Sequence, residues 1–270
     1  MTSFNGLGNV TTLPPRSFYE CTSISSLSTL PTTVTSYGNR CLAYTKISDL
    51  SKIRSTDTLN PYCFAHMNSL TSLTTLTKRS SLPSYVFYNC TGLKNVDLSQ
   101  WTSLTSIPEY TFYNCSSLSS ITLPSTINSI GTYAFYSTAL RNTNFLSATK
   151  VTNIQDYTFS ECTSLSSISL PEKTTSIGSY AFANNYSSYN KDLNLSRLTA
   201  LTSIGTYAFN NDYNLLSATL PSSLTSIGDY AFAGCYRLSS MTCLRDNAPT
   251  VYTNTFGSTA GTGSTAYTGS

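Results

Sequence analysis

Residues 112–135, FYNCSSLSSITLPSTINSIGTYAF, carry the unit from which the rest of the chain is built. Its apolar positions are Cys115, Leu118, Ile121, Leu123, Ile127, Ile130, Ala134 and Phe135. Ile121 and Leu123 alternate with Ser120 and Thr122, the period of a short strand with one face buried. Pro124 stops that strand because proline has no N–H for a ladder, and Pro171 and Pro221 do the same later. Gly131, with Gly178, Gly205 and Gly228 in the matching slot, predicts a turn with positive φ. The next residues, Thr132, Ser179, Thr206 and Asp229, are helix N-cap types. Tyr-Ala-Phe behind such a cap, often with Cys three residues after the Phe, predicts a short helical turn with Ala, Phe and Cys on one face. Each unit then reads strand, turn, second extended piece, capped helical turn.

The unit recurs. Tyr-x-Phe occurs eight times, with its aromatic at Phe64, Phe87, Phe112, Phe135, Phe159, Phe182, Phe209 and Phe232. Phe18 and Cys41 extend the series backwards and Phe256 extends it forwards, at intervals of 23, 23, 23, 25, 23, 24, 23, 27, 23 and 24 residues. A period of this size means a solenoid of short coils, none able to bury its apolar face alone. One elongated domain of about ten coils is predicted over residues 1–256, with a polar Gly/Ser/Thr tail over 257–270. The wider frame Leu70-x-x-Leu73-x-x-Leu76 predicts irregular strands in the first coils. Coils starting at Phe87, Phe135 and Phe182 are longer than their neighbours, and extra residues in repeats collect on one face, often a binding face.

Charged residues make up only 10% of the chain, against about a quarter in an ordinary domain. Apolar residues make up 40% and sit at fixed offsets, which argues for a packed core. A net charge of +3 without clusters gives no electrostatic reason to expect nucleic acid. No apolar run of about twenty residues predicts membrane insertion.

The pattern Leu-x-x-Ile-x-Leu-Pro followed by Ile-Gly-x-Tyr-Ala-Phe-x-x-Cys resembles the BspA-like leucine-rich repeat family. Residues 118–135, 165–182 and 215–235 carry the match most fully, and it covers about residues 7–256. The resemblance implies a leucine-rich repeat solenoid, α/β in class and strand-rich. It would be a right-handed curved coil of 23–27-residue repeats, with a parallel β-sheet on its concave side and short helical turns. It also implies a microbial cell-surface or secreted location, as a segment of a longer chain, and adhesion through protein or glycan binding. It brings no catalytic residues and no cofactor. Members often continue into further apolar sequence, so one or both ends are expected to be covered by additional sequence or another subunit.

Eight cysteines contain no C-x-x-C pair, and five of them, Cys21, Cys90, Cys115, Cys162 and Cys235, fall three residues after the Phe slot. Cys90 and Cys115 would stack within disulfide reach, but Cys21 and Cys162 lack an equivalent partner, so buried thiols acting as small hydrophobes are expected. The tyrosine ladder, Tyr62 through Tyr230, is expected to stack coil on coil with its hydroxyls wet. His66 is the only histidine, which leaves no support for a Ser-His-Asp or Cys-His arrangement and no metal ligand set. No enzyme is expected.

Recognition points elsewhere. The outward strand positions are mostly Ser or Thr, but the longer coils place Lys94, Asn95 and Asp97; Arg141, Asn142 and Asn144; and Lys191, Asp192 and Asn194 there. Trp101, the only tryptophan, follows the first set. A hydroxyl face interrupted by charges and one Trp suits a recognition surface; the rival reading is a solvated sheet face with drifting residues. Function is therefore expected to be binding of a protein or glycan. The alternative is a structural or receptor-binding component of a larger assembly, such as a virion, phage tail or surface appendage.

Overall fold

The computed structural model describes residues 2–143, 148–186, 192–252, 254–257 and 267–269. It is a parallel β-solenoid with two ladders of short strands. One ladder contains β1 (Thr12–Leu13), β2 (Ser36–Tyr37), β3 (Thr58–Leu59), β5 (Ser106–Ile107), β7 (Ser129–Ile130), β8 (Asn153–Ile154), β9 (Ser176–Ile177), β11 (Ser203–Ile204), β13 (Ser226–Ile227) and β15 (Thr250–Val251). The other contains β4 (Asn95–Asp97), β6 (Ser120–Thr122), β10 (Asp192–Asn194), β12 (Ser217–Leu220), β14 (Ser240–Cys243) and β16 (Tyr267–Gly269). Every pairing is parallel and keeps the repeat in register, as in Ile107 beside Ile130 and Ala218 beside Met241. Asn142 and Ser167 form a single bridge in the second ladder's slot. Alternation holds: in β12 the second and fourth residues, Ala218 and Leu220, are buried. The early frame around Leu70–Leu76 forms no strand, in line with its wider spacing. Tyr267–Gly269 pairs with β14, so the segment set apart as a tail carries the last strand.

The interior is a continuous column. Phe64, Phe87, Phe112, Phe135, Phe159, Phe182, Phe209 and Phe232 are fully buried, and successive rings stack 5.3–6.1 Å apart. Each such burial contributes about 1.5–3 kcal/mol of transfer free energy. Leu42, not Cys41, fills the Phe slot of the second coil. The Phe18 N–H reaches the Cys41 carbonyl and the Leu42 N–H reaches the Cys63 carbonyl, so cysteines 41 and 63 both sit one residue before the slot. The fixed 23-residue spacing had hidden this one-residue shift.

The predicted helical turns are absent: no described residue is helical. At the corner, alternate N–H groups leave their own coil. Tyr133, Phe135 and Ser137 donate to the carbonyls of Asp156, Thr158 and Ser160 in the next coil. Ala134 and Tyr136 close turns within the coil, onto Gly131 and Tyr133. A helix would direct all of these bonds along its own axis, so the corner trades helix for coil-to-coil bonds. The trade needs left-handed backbone at two places per coil, and the residues there are Tyr133 (φ 57°) and Ser137 (φ 54°), with Tyr157 and Glu161, then Tyr180 and Asn184, repeating the pattern.

Positive φ therefore falls on tyrosine and not on Gly131, Gly178, Gly205 or Gly228, none of which has it. Those glycines serve close approach. A Cβ on Gly205 would lie 2.6 Å from the carbonyl carbon of Gly178 in the preceding coil.

All eight cysteines are free, and seven are buried. The thiols of Cys90, Cys115, Cys162 and Cys235 each donate to the carbonyl of the Phe one coil back, at 3.1–3.2 Å. Asn185 takes the same role toward Phe159. The tyrosines of the ladder are half-buried and stack at 4.2–4.8 Å, as expected.

Candidate functional site

The second ladder presents the outward row on which the recognition residues were expected. Asn95 and Asp97 are exposed on β4, with Val96 between them buried. Asp192 and Asn194 flank buried Leu193 on β10 in the same way. Arg141 and Asn142 are exposed at the bridge to Ser167. These three sets occupy alternate rungs of one face, so about 10 Å separates one set from the next. Lys94 is exposed beside them. Asn144 and Lys191 lie outside the described residues.

Trp101 does not belong to this surface. Its side chain is 4% exposed and joins the hydrophobic core, where a large apolar ring gains most from burial. The neighbouring depression, about 350 Å³, is lined also by Lys78, Arg79 and Gln100.

Much of the hydroxyl face is turned toward the rung before it. Ser120 Oγ donates to Asn95 Oδ1 at 2.7 Å, and Ser217 Oγ donates to Asp192 Oδ1 at 2.5 Å. Ser166 and Ser239 bond to the carbonyls of Arg141 and Leu216. The Ser/Thr side chains thus stitch rungs together, with Asn95 and Asp192 as acceptors that remain exposed. Asp97 and Asn194 each accept the N–H two residues on, from Ser99 and Ser196. The Ser99 N–H and hydroxyl hold the Asp97 carboxyl below the usual carboxylate range, so it is an anion at neutral pH. Asn194 also borders a shallow cavity of about 80 Å³, bridged by the Arg197–Glu172 ion pair at 2.6 Å.

Among the described residues no cluster of three or more His, Cys, Asp or Glu is placed to hold a metal ion. No helix among them is long and apolar enough to cross a membrane. The sequence reading passed over the corner edge as a site. There Arg16 and Arg40 stand where later coils have tyrosine, a substitution visible once Leu42 is placed in the Phe slot.

A stack of parallel rungs closed by leucine, isoleucine and phenylalanine columns defines a leucine-rich repeat solenoid. The chain belongs to the BspA type leucine rich repeat family, which it matches in six copies over residues 1–105, 80–197 and 185–262. Among solved structures it is similar to a leucine-rich repeat protein from Bacteroides ovatus, at 21% identity and a TM-score of 0.55, over 86% of this chain and 70% of that one. It is also similar to a leucine rich cell surface protein from Faecalibacterium prausnitzii, at 19% identity and a TM-score of 0.48, over 87% and 76%. No curated protein matches it significantly.

Proposed function

We propose that this protein is a non-enzymatic binding or adhesion module that holds a protein or glycan partner at a microbial surface. The outward row of the second ladder is the contact face, on the concave side of a right-handed rod. One observation carries the reading: exposed amides and charges recur on alternate rungs of a face otherwise made of hydroxyls, which bond to the rung before them. A rigid row of this kind gains affinity by adding modest contacts that need no further ordering. The family match, which points to no enzyme family, supports a role without catalysis.

The test is a glycan and surface-protein array probed with the native chain and with the Lys94→Ala, Arg141→Ala, Lys191→Ala triple variant. Binding should fall at least tenfold while the thermal midpoint stays within a few degrees, since surface substitutions usually change stability by no more than about 0.5 kcal/mol each. Unchanged binding would move the contact face elsewhere. The alternative, a component of a virion or appendage, is separated by fractionation: such a protein sediments with particles and not with envelopes. The same proposal has further sequence or a second subunit covering an end of the rod, supported by the exposure of Val251 and Tyr252 at 47% and 58%.

A further inference from the structure

The corner edge of the first coils holds a cup. In the position after the Phe slot, Tyr19, Tyr88, Tyr113 and Tyr136 project large rings, but Ala43 and Ala65 stand there in two adjacent coils. Between Tyr19 and Tyr88, over these two coils, lies a cavity of about 320 Å³. One wall is Arg16, Arg40 and Tyr62, and the other is Tyr19, Tyr44, His66 and Tyr88. The second wall is a continuous aromatic row, with successive ring centroids 5.2, 3.9 and 5.5 Å apart.

The cup is cationic and supplies donors. The Arg40 guanidinium lies 4.2 Å from the Tyr62 ring centroid, capping the tyrosine ladder, and Arg16 lies 5.7 Å from that of Tyr19. The ion pairs among the described residues are Arg54–Asp57 and Arg197–Glu172, so neither Arg16 nor Arg40 has a carboxylate partner there. The imidazole is held in one tautomer by a relay. Ser137 Oγ donates to Asn114 Oδ1, Asn114 Nδ2 donates to Asn89 Oδ1, and Asn89 Nδ2 is left to donate to His66 Nδ1 at 2.8 Å. Nδ1 is therefore the acceptor, and the proton sits on Nε2 as a further donor.

We propose that this cup binds a carboxylate-bearing sugar, a uronic or sialic acid residue of an acidic glycan. The volume, near the lower end for ligand pockets, suits one ring-sized group and not a length of peptide. Arg16 and Arg40 would take the carboxylate, the only group in such a sugar that answers two unpaired guanidiniums. The faces of the aromatic row offer an apolar surface to the C–H face of the ring, while phenol and imidazole groups meet its hydroxyls. The site lies on the corner edge, so it stands or falls independently of the strand face.

His66 reports on the cup. Burial, then the charge of Arg40, lowers its pKa. The titratable and charged groups around it are Arg40, Tyr44 and Tyr88, with Arg16, Tyr19 and Tyr62 further round the wall and Glu20 exposed beside Tyr19. A bound carboxylate opposes the Arg40 effect and so raises the imidazole midpoint, against the Asn89 donor that favours the neutral ring.

The experiment is NMR of the sole imidazole of the full chain, titrated with a glucuronate oligosaccharide, its neutral glucose counterpart, sialyllactose and a glutamate-rich peptide. The expected result is a saturable His66 shift with an acidic sugar, a raised imidazole midpoint at saturation, and no shift with the neutral sugar. Arg40→Gln should weaken binding at least tenfold, and Ala65→Tyr, which restores the ring that Tyr88 carries one coil on, should abolish it. Arg237→Gln, far along the rod, should change nothing. A His66 shift with the neutral sugar of equal size, a response to the peptide alone, or equal losses for Arg40→Gln and Arg237→Gln would each overturn the proposal.

Discussion

Tyr157 holds a φ of 57°, a region that costs an L-residue roughly 1–2 kcal/mol, and it does so with its ring stacked between Tyr133 and Tyr180 at 4.4 and 4.6 Å. Stacking and coil-to-coil hydrogen bonds offset the backbone cost. Two residues on, Phe159 is fully buried with an ordinary backbone. Phe159→Ala should therefore destabilise by about 3–5 kcal/mol, and Tyr157→Ala by clearly less. Tyr157→Gly should be no worse than Tyr157→Ala, against the usual order, because glycine relieves the left-handed strain that alanine keeps. Chemical denaturation of the three variants checks both statements. Equal losses at 157 and 159 would contradict the assignment of inside and outside.

At the scale of the element, the rung was legible and the corner was not. Period-2 alternation at Ile121 and Leu123, and a proline after it, directly report a strand and its end. Thr-Tyr-Ala-Phe looks like a capped helix because cap preference and helical spacing are local signals. What defeats the helix is a partner one coil away, accepting from Tyr133, Phe135 and Ser137, and no local pattern records that. The glycine slot misled for the same reason: its cause is the backbone of the preceding coil. Of the candidate site, the alternate-rung placement followed from coil length, whereas Trp101 was misplaced because a turn after the strand, closed by the Trp101 N–H on the Leu98 carbonyl, brings it back to the core.

The cysteine column belongs to this scale too. Burial pushes the thiols of Cys41 and Cys90 up to about 12, and that of Cys115 well above its ordinary value. Thiolate is the reactive form. Alkylation of the native protein at pH 8 should therefore label half-buried Cys21 and leave the other seven until the chain unfolds. Rapid labelling of several thiols would mean the coils open locally.

For the whole molecule, cohesion is apolar and hydrogen-bonded and hardly ionic: two ion pairs join the described residues. Salt should matter little, with the thermal midpoint moving by no more than a few degrees between low salt and about 1 M NaCl. Alkali should matter more. Tyr133 and Tyr136 are pushed up to about 12 by burial and then by neighbouring charges, alongside the cysteines. Below the ordinary values of 9.0 and 10.0 both states keep these protons. Above them the unfolded chain releases protons that the folded rod retains, so stability falls as pH rises. Circular dichroism melts from pH 7 to 11 should show this descent.

The one-way bonding of the corner reaches furthest. From Arg16 to Phe232 the forward-pointing N–H groups all face the next coil, and the carbonyls that receive them all face back. Each peptide carries a dipole of about 3.5 D, and here they add in line as they do in a helix, with the sign reversed relative to chain direction. The edge thus has an electrical direction that no side chain supplies, set against the ladder N–H groups of Gly131, Gly178, Gly205 and Gly228, which point back to the preceding coil.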